Sequence, residues 1–598
     1  MTSVIVIGGG VGGLTAAHEL ADRGFHVDVY EARPAFGGKA RSQSVAGTGT
    51  GGRRDLPGEH GFRFYPHFYK HVIDTMARIP SPLGGHVVDH LQPTTESAIA
   101  LVDTETWYRF FRKRVTKPYD VLSALELFFQ ELDFDGEDVA LFAAKILQFF
   151  TTCDARRLGD YEQRSWWDFL EGDHYSPRFQ KQLRAVPHTM VAMDPKKGSA
   201  RTVGAISMQL ILDFASTGVT NDRTLGGPTS ELWFDPWIAQ LEALGVKLHA
   251  GAGVAKLEVA GGKISGVELS GGGTATADYY VLALPIDLAI GMISPELGAL
   301  DPVLDHLRAK HPDDLVSWMC GIQYFLYEDV PLVRGHTFYP DSPWALTTIS
   351  QPQFWRELGL FRRRYGGGDV GGLISVDVSD WTTPGTFIAK PAQDCTPEEI
   401  ATEIWEQLKA ALNGASVDAQ TLTDELRHSW HLDDDLDYSL GIPPVNRGRL
   451  LVHPPGSWAL RPDAATAVPN LVLASDYVRT YTDLASMEGA NEAGRRAVNA
   501  ILARAGSTAT PAATWPLVEP AQFAAWKKLD AKLYAHGHRH LFELLGIRRA
   551  AAAADVLRKL ATAIGLDKLD DKLDEIRPTA IINAILAKLG VPVSDPNS

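Results

Sequence analysis

Cysteine is scarce in this chain, which has only Cys153, Cys320 and Cys395 among 598 residues. An odd number of cysteines so far apart gives no disulfide framework and no zinc-ligand spacing, which predicts three buried thiols in a reducing compartment. Uninterrupted apolar runs are also missing, and none reaches the roughly 18 residues of a membrane span. The net charge of −16 disfavours broad nucleic-acid binding, which needs a basic surface. We therefore expect a cytoplasmic protein without a nucleic-acid partner.

The first thirty residues contain a dinucleotide-binding fingerprint. Residues 4–7 form a short apolar run typical of a buried parallel strand, and Gly8, Gly10 and Gly13 follow it as G-x-G-x-x-G. A helical spacing comes next, and then a second strand that ends at Glu31. The glycines and the helix N-terminus suit a pyrophosphate, and the terminal acid suits the hydroxyls of an adenosine ribose. The pattern predicts a Rossmann-type α/β domain that binds FAD or NAD.

The segment after the acid, EARPAFGGKARS, supplies Arg33, Gly38, Lys39 and Arg41. This order resembles the flavin amine oxidase and phytoene desaturase superfamily, in which a GG-[RK] turn passes beside the FAD pyrophosphate. The resemblance implies that FAD is the cofactor and that Arg33 and Lys39 face its phosphates. It continues through GEHGFRFYPHFYKH, RTVGAISMQL and GGPTSELWFDPWIAQLEALGV to about residue 505. There it is closest to bacterial carotenoid-desaturase-like and hydroxysqualene-dehydroxylase-like flavoproteins.

Residues 58–71 combine aromatic side chains with three histidines and an arginine. In the family, an acid, one further residue and then a glycine, here Gly61, lie along the flavin. The resemblance implies that this backbone passes close to the isoalloxazine ring and that Arg63 stabilises negative charge on it. By position alone, His60, Arg63 and Tyr65 are the candidate catalytic residues. The histidines lack the partners and spacing of a zinc site, so no metal is expected.

A second cofactor motif lies near residue 480. Residues 471–474 predict a buried strand, Asp476 follows it, and a helix begins near Met487. The resemblance implies that the acid binds the flavin ribityl and pyrophosphate region, that the helix N-terminus faces the flavin pyrimidine, and that Val254 lies beside the adenine. The predicted FAD-binding residues are Gly8, Gly10, Val11, Gly12, Gly13, Glu31, Ala32, Arg33, Gly38, Lys39, Arg41, Gly61, Phe62, Arg63, Val254, Asp476, Met487 and Ala490.

These motifs predict a discontinuous FAD domain of residues 1–95, 221–290 and 446–506. A mixed α/β substrate domain is inserted into it as residues 96–220, mostly helical, and residues 291–445. The aromatic cluster around Trp166, Trp167 and Tyr175 is interpreted as core packing, with the wall of a tunnel for an apolar substrate as the alternative. The acidic run HLDDDLDYS lacks the pattern of a calcium loop and is interpreted as a solvated turn.

Residues 507–598 predict a linker and a helical extension. The amphipathic segments AAAADVLRKLATAIGL and TAIINAILAKLGV could pack on the core, form oligomers, or lie in a membrane interface, and packing or oligomerisation is favoured. The run HGHRH is interpreted as a solvated basic patch.

The resemblance implies an FAD-dependent oxidoreductase that takes a hydride from a long hydrophobic, isoprenoid- or lipid-like substrate and forms a C=C bond. A quinone or oxygen would then reoxidise the flavin. The alternatives are a non-redox flavin-dependent isomerase or dehydroxylase, an amine oxidase, and a non-catalytic flavin-bearing binding protein. An amine substrate is disfavoured because the central region departs from the monoamine-oxidase pattern.

Overall fold

The computed structural model describes residues 2–102, 106–111, 135–191, 193–215, 222–413 and 421–544. The chain divides into two compact units. The first unit contains residues 1–113, 184–194 and 218–516, and the second contains residues 114–183, 195–217 and 517–598. The helix Pro177–Val191 contributes residues to both.

A five-stranded parallel sheet is the centre of the first unit. Three of its strands are short, apolar and almost wholly buried, as expected where both faces of a sheet are covered. The strand Lys247–Ala250, at one edge, is partly exposed. The strands predicted at residues 4–7, before Glu31 and at residues 471–474 are all present, with ends that differ by at most one residue. Their order across the sheet is Lys247–Ala250, His26–Glu31, Ser3–Ile7, Tyr279–Leu282 and Leu471–Leu473.

Two helices pack side by side on this sheet, Val11–Ala21 and Met487–Arg504. Their contact depends on small residues, because a Cβ atom on Gly12 would overlap the carbonyl oxygen of Ala474, and one on Gly494 would lie 2.6 Å from the carbonyl oxygen of Gly12. The first and last cofactor motifs are therefore brought together although they are separated by more than 450 residues of sequence.

A seven-stranded sheet forms the rest of the first unit's core. One face carries apolar side chains such as Ile322, Tyr324 and Val376, which pack against the helix Pro397–Leu412. The opposite face presents Gln323 and alternating polar residues of the neighbouring strand. The strand order is Arg427–Leu432, Cys320–Leu326, Gly372–Val378, Leu346–Ser350, Gly335–Phe338, Glu96–Leu101 and Thr106–Phe111.

The region of residues 96–220, predicted to be mostly helical, thus begins with two strands of this sheet. Smaller sheets complete the first unit: Val254–Ala260 with Lys263–Leu269 and Thr274–Ala275, Ser42–Val45 with Leu56–Glu59, Tyr65–Pro66 with Asp222–Leu225 and Leu91–Pro93, Val316–Ser317 with Leu450–Leu451, and Leu436–Asp437 with Val445–Asn446. Its other α-helices are His71–Met76, Asp235–Ala243, Ile286–Met292, Pro295–Leu300, Pro302–Arg308 and Phe361–Arg364.

The second unit is helical over its described residues. Trp166, Trp167 and Tyr175 are each 3–4% exposed, and Trp166 stacks on Phe169 with ring centroids 5.3 Å apart, which confirms the core-packing interpretation. The helices are Gly136–Thr151, Asp154–Gly159, Trp166–Leu170, Ala200–Ala215, Ala524–Ala535 and Leu541–Leu544. No helix in the described part of the chain is both long and apolar enough to cross a bilayer.

The described part of the C-terminal extension from Leu517 to Leu544 belongs to the second unit, whereas residues 507–516 belong to the first. Asp530 is 2% exposed and accepts hydrogen bonds from the Arg156 side chain and from the Cys153 amide, both at 2.9 Å. His540 is also only 2% exposed, so the interpretation of HGHRH as a solvated patch is wrong for this residue. The two amphipathic segments named above lie outside the described residues.

Candidate flavin site

The glycine loop of the first motif connects the central strand to the first helix. Gly8 has a φ of +105°, and a Cβ atom there would lie 2.7 Å from the carbonyl oxygen of Ala283. Gly10 precedes the helix Val11–Ala21, whose N-terminus has no side-chain cap and no acid in its first turn. A Cβ atom on Gly10 would meet only the Cα atom of Gly38, at 3.8 Å. The loop thus leaves space and free N–H groups where a pyrophosphate would approach.

Glu31 closes one side of this loop. Its carboxylate accepts hydrogen bonds from the amides of Gly9 at 2.7 Å and Arg33 at 2.8 Å. The backbone of residue 31 also accepts from the Ala252 amide at 2.8 Å, which places the segment before Val254 beside Ala32. The predicted ribose acid and the predicted adenine-side valine therefore lie in one region of the molecule.

Two of the three basic residues that follow Glu31 contact a buried acid, and the third binds a backbone carbonyl. Arg33 donates to the carboxylate of Asp435 at 3.0 Å, Arg41 lies 3.6 Å from the same carboxylate, and Lys39 donates to the carbonyl of Arg449 at 2.8 Å. Asp435 is 4% exposed. The interpretation of HLDDDLDYS as a solvated turn is thus wrong at this position, because ion pairing to the arginines compensates the burial of the carboxylate.

His60 is an ion-pair partner in the same region. Its Nδ1 atom contacts the carboxylate of Asp433, which is 2% exposed. Burial acts to raise the pKa of Asp433, but the contact with His60 and a hydrogen bond from the Gln43 side chain lower it below its usual value. His60, Asp433 and Asp435 bring three potential metal-ligand atoms within 4.8 Å of one another. Arg33 and Arg41 bring two positive charges to the two carboxylates of this cluster, so its charge balance needs no cation.

The segment at Gly61 lies on the polar face of the seven-stranded sheet. Gln323 exchanges two hydrogen bonds with the backbone of Glu59, at 3.0 and 3.1 Å. A Cβ atom on Gly61 would lie 2.5 Å from Asp377 Oδ1, and the Phe62 amide donates to the same carboxylate. The glycine is therefore required by close contact with this sheet, a reason independent of any flavin ring.

Asp377 has an unusual environment for a carboxylate. It is 5% exposed, and burial raises its pKa to about 7 although the Arg63 guanidinium and the Phe62 amide act in the opposite direction. Burial likewise raises the pKa of Glu59, which Arg63 partly offsets. Burial thus raises the pKa of two acids at the segment predicted to line the flavin.

Arg63 and Tyr65, two candidate catalytic residues, have different surroundings. Arg63 donates to the carbonyls of Gly61 at 2.6 Å and Lys39 at 2.5 Å. Tyr65 is fully buried, and burial raises the pKa of its hydroxyl far above the usual range, so it is not a base. Several buried polar atoms near this segment have no hydrogen-bond partner among the described residues, including Glu59 Oε2, Arg63 Nε, Tyr65 Oη, Trp233 Nε1 and Asp377 Oδ1.

The closing motif is anchored to the aromatic stretch. Glu488, in the first turn of the helix Met487–Arg504, is 1% exposed and accepts hydrogen bonds from the amides of residues 70–72. Its carboxylate also contacts His71 Nδ1 at 2.7 Å. Asp476 lies just beyond the end of its strand and is 8% exposed, and the backbone of Ala490 faces Gly12. The structure thus brings the predicted residues of the first and last motifs together.

These features fit FAD. The space at Gly10 and the uncapped helix suit the pyrophosphate, Glu31 suits the ribose, and the unpartnered buried polar atoms suit a polar ring system. A sequence model of the family of flavin containing amine oxidoreductases matches residues 11–502. The chain belongs to this family. It is a flavin oxidoreductase of the amine oxidase and phytoene desaturase type, and membership implies FAD as the cofactor.

Two carotenoid enzymes are similar in sequence. The zeta-carotene desaturase of Synechocystis sp. is 24% identical over 532 residues, which cover 84% of this chain and 97% of that protein. The carotenoid phi-ring synthase of Chlorobaculum tepidum is 42% identical over 66 residues, which cover 11% of this chain and 10% of that protein.

Solved structures share the fold. Cyclohexylamine oxidase from Brevibacterium oxydans matches with a TM-score of 0.54 and 15% identity over 84% of this chain and 99% of that one. An oxidoreductase from Methanosarcina mazei matches with a TM-score of 0.53 and 14% identity over 82% of this chain and 98% of that one. At this identity they show a mixed α/β fold with a parallel sheet and nothing about the substrate.

Three residues of the site were not predicted from the sequence. Asp377 belongs to the run SVDVS, where a polar residue at every second position was a usable signal for a polar sheet face. Glu488 was visible as an acid in a first helical turn, which normally indicates only a favourable helix dipole. Asp435 carried no such signal, because its partners lie 400 residues earlier in the chain.

Proposed function

We propose that the protein takes a hydride from a long hydrophobic, isoprenoid- or lipid-like substrate and forms a carbon–carbon double bond. The observation that carries this proposal is the similarity to a zeta-carotene desaturase over 97% of that protein's length, far more than the cofactor motifs alone span in this chain. The likeness to amine oxidases supports only the fold, since those structures are 14–16% identical. A quinone or oxygen is the proposed electron acceptor.

The chain's own residues supply binding and orientation. FAD, when bound, supplies the hydride acceptor. Gly10 and the first helix hold its phosphates, Glu31 holds its ribose, and Arg63 stabilises negative charge near its ring. Phe62 and Phe64 give the neighbouring surface an apolar character, which suits a hydrocarbon chain better than a charged amine.

Product analysis tests the proposal. The flavin-loaded protein is incubated with zeta-carotene, hydroxysqualene, oleic acid or cyclohexylamine, each in the presence of a short-chain plastoquinone or of oxygen. The products are then separated by chromatography, and their masses are measured by mass spectrometry. We expect a product from the isoprenoid or lipid class that is lighter by two hydrogen atoms. A product of unchanged mass, or one that has lost water without net flavin turnover, would favour the isomerase or dehydroxylase. An oxidised amine would contradict the proposal.

A further inference from the structure

His336 is a buried histidine beside the predicted flavin-lining segment. It lies on the strand Gly335–Phe338 and is 3% exposed. Its ring stacks on Phe62 with centroids 5.1 Å apart and meets the ring of Phe64 edge-on at 5.6 Å. The imidazole is thus part of the aromatic wall that follows Gly61.

The two ring nitrogens of His336 have different surroundings. Nδ1 lies 3.4 Å from a carboxylate oxygen of Asp222, which is itself 8% exposed and contacts the hydroxyl of Thr94. Nε2 is buried and has no hydrogen-bond partner among the described residues. A carboxylate that faces Nδ1 favours the tautomer with the proton on that nitrogen, which leaves a lone pair on the other.

The three candidate catalytic residues named from the sequence are weaker candidates for this base. His60 also faces a carboxylate through Nδ1, but its Nε2 is not among the buried atoms that lack a partner in the described part of the chain. Arg63 is a permanent donor, and burial keeps the hydroxyl of Tyr65 protonated. Among these side chains, His336 is the one that offers a buried, unpartnered and basic nitrogen.

We propose that Nε2 of His336 takes up the proton that the substrate loses, and that Asp222 is the positioning residue that fixes its tautomer. This rests on the proposed desaturation. Two C–H bonds on neighbouring carbons break in that reaction. One hydrogen would leave with its electron pair as a hydride, which oxidised FAD would accept when bound, and the other would leave as a proton to Nε2. The electron pair of the second bond becomes the new C=C bond.

The tautomer is measured first, by NMR of the protein labelled with ¹⁵N in its histidines, which does not depend on activity. The His336 signal is assigned by its loss in His336→Asn. We expect a protonated Nδ1 and an unprotonated Nε2, and we expect Asp222→Asn to mix the tautomers. His90 is the matched control, because its two ring nitrogens already face Glu357 and the carbonyl of Gly84. A proton on Nε2 at neutral pH in the wild type would overturn the inference.

The rate is measured second, as anaerobic bleaching of the flavin by zeta-carotene. His336→Ala should keep the flavin spectrum and lower the bleaching rate constant about 10²- to 10⁴-fold, and added imidazole should restore part of it. Asp222→Asn should lower this rate constant less and leave the substrate concentration for half-maximal rate unchanged, whereas His90→Asn should leave both at their wild-type values. Wild-type rates in His336→Ala would overturn the inference. If no isoprenoid bleaches the wild type, the proposed function fails, while the tautomer measurement still decides the assignment of the dyad.

Discussion

The carboxylate of Glu31 accepts a hydrogen bond from the Gly9 amide at 2.7 Å, so the acid at the end of the second strand holds the loop that follows the first strand. Residue 31 therefore has two roles, since the same carboxylate is the predicted partner of the adenosine ribose. Both roles require an acceptor at this position.

We expect Glu31→Ala to weaken FAD binding by about 10- to 100-fold, because loss of the acceptor leaves the Gly9 amide unpaired and removes a charged hydrogen bond to the ribose. Glu31→Gln keeps one acceptor oxygen, so its affinity for FAD should lie between those of the wild type and Glu31→Ala. Titration of the flavin-free protein with FAD measures the dissociation constant. Glu268→Ala, at an exposed position of the same unit, is the control, and an unchanged affinity in Glu31→Ala would contradict the assignment.

Gly12 provides a test of the contact between the two cofactor motifs. A methyl group there would overlap the carbonyl of Ala474, and backbone on both sides cannot move without disturbing the parallel sheet. We expect Gly12→Ala to lower the free energy of unfolding by about 3 kcal/mol or more and to reduce flavin retention. Gly291→Ala is the matched control, since that helical glycine has nothing within 4 Å of its Cβ position, and its melting temperature should stay the same or rise. Equal melting temperatures for the two variants would refute this packing.

Asp377 should make the first unit less stable as the pH rises. Its folded pKa is about 7, against 3.8 for an unperturbed aspartate, so the unfolded chain ionises first and the penalty grows between about pH 4 and pH 7. Full ionisation costs on the order of 4 kcal/mol. Asp377→Asn removes this penalty and keeps an acceptor for the Phe62 amide. The melting temperature of the variant minus that of the wild type should therefore increase from pH 5 to pH 8, and a constant difference would count against the buried carboxylate.

Because of His540, we expect the stability of the second unit to have the opposite pH dependence. Burial lowers its pKa from the usual 6.5 to about 4, so the unfolded segment takes up a proton that the folded segment resists. Stability is therefore lost as the pH falls from about 6.5 toward 4. Hydrogen exchange of the helix Ala524–Ala535 should be faster at pH 5 than at pH 7 after correction for intrinsic rates, and His540→Asn should reduce the change. The exposed His536 gives the control variant, which should behave as the wild type.

The sequence was sufficient to predict the nucleotide-binding part of the fold. Three of the five strands of the parallel sheet are short apolar runs, and local boundaries such as the glycines after Ile7 or the proline after Leu284 mark their ends. The two halves of the site could also be paired, because each motif has a distinctive pattern. Strand Glu96–Leu101 was missed although it pairs with the neighbouring strand Thr106–Phe111 as well as with Gly335–Phe338, which lies more than 230 residues away.

The polar partners in the site could not be predicted in the same way. In the sequence, Asp435 has the surroundings of a solvated acid, and only the fold shows that it pairs with Arg33. Similarly, the sequence suggests that Gly61 contacts a flavin, and only the fold shows that Asp377 lies against it. Burial of a charge is a property of the packed chain and has no local pattern in sequence. The predicted contacts of the individual residues with FAD stay predictions.

The most direct test of the central claim is the visible spectrum of the flavin-loaded protein, recorded without oxygen before and after the addition of zeta-carotene, and separately of cyclohexylamine. Hydride transfer from the polyene reduces the flavin, so we expect its band near 450 nm, roughly the usual position for oxidised flavins, to bleach with zeta-carotene or another long isoprenoid and to persist with the amine. Bleaching by the amine alone would contradict the proposed desaturation and would identify an amine oxidase.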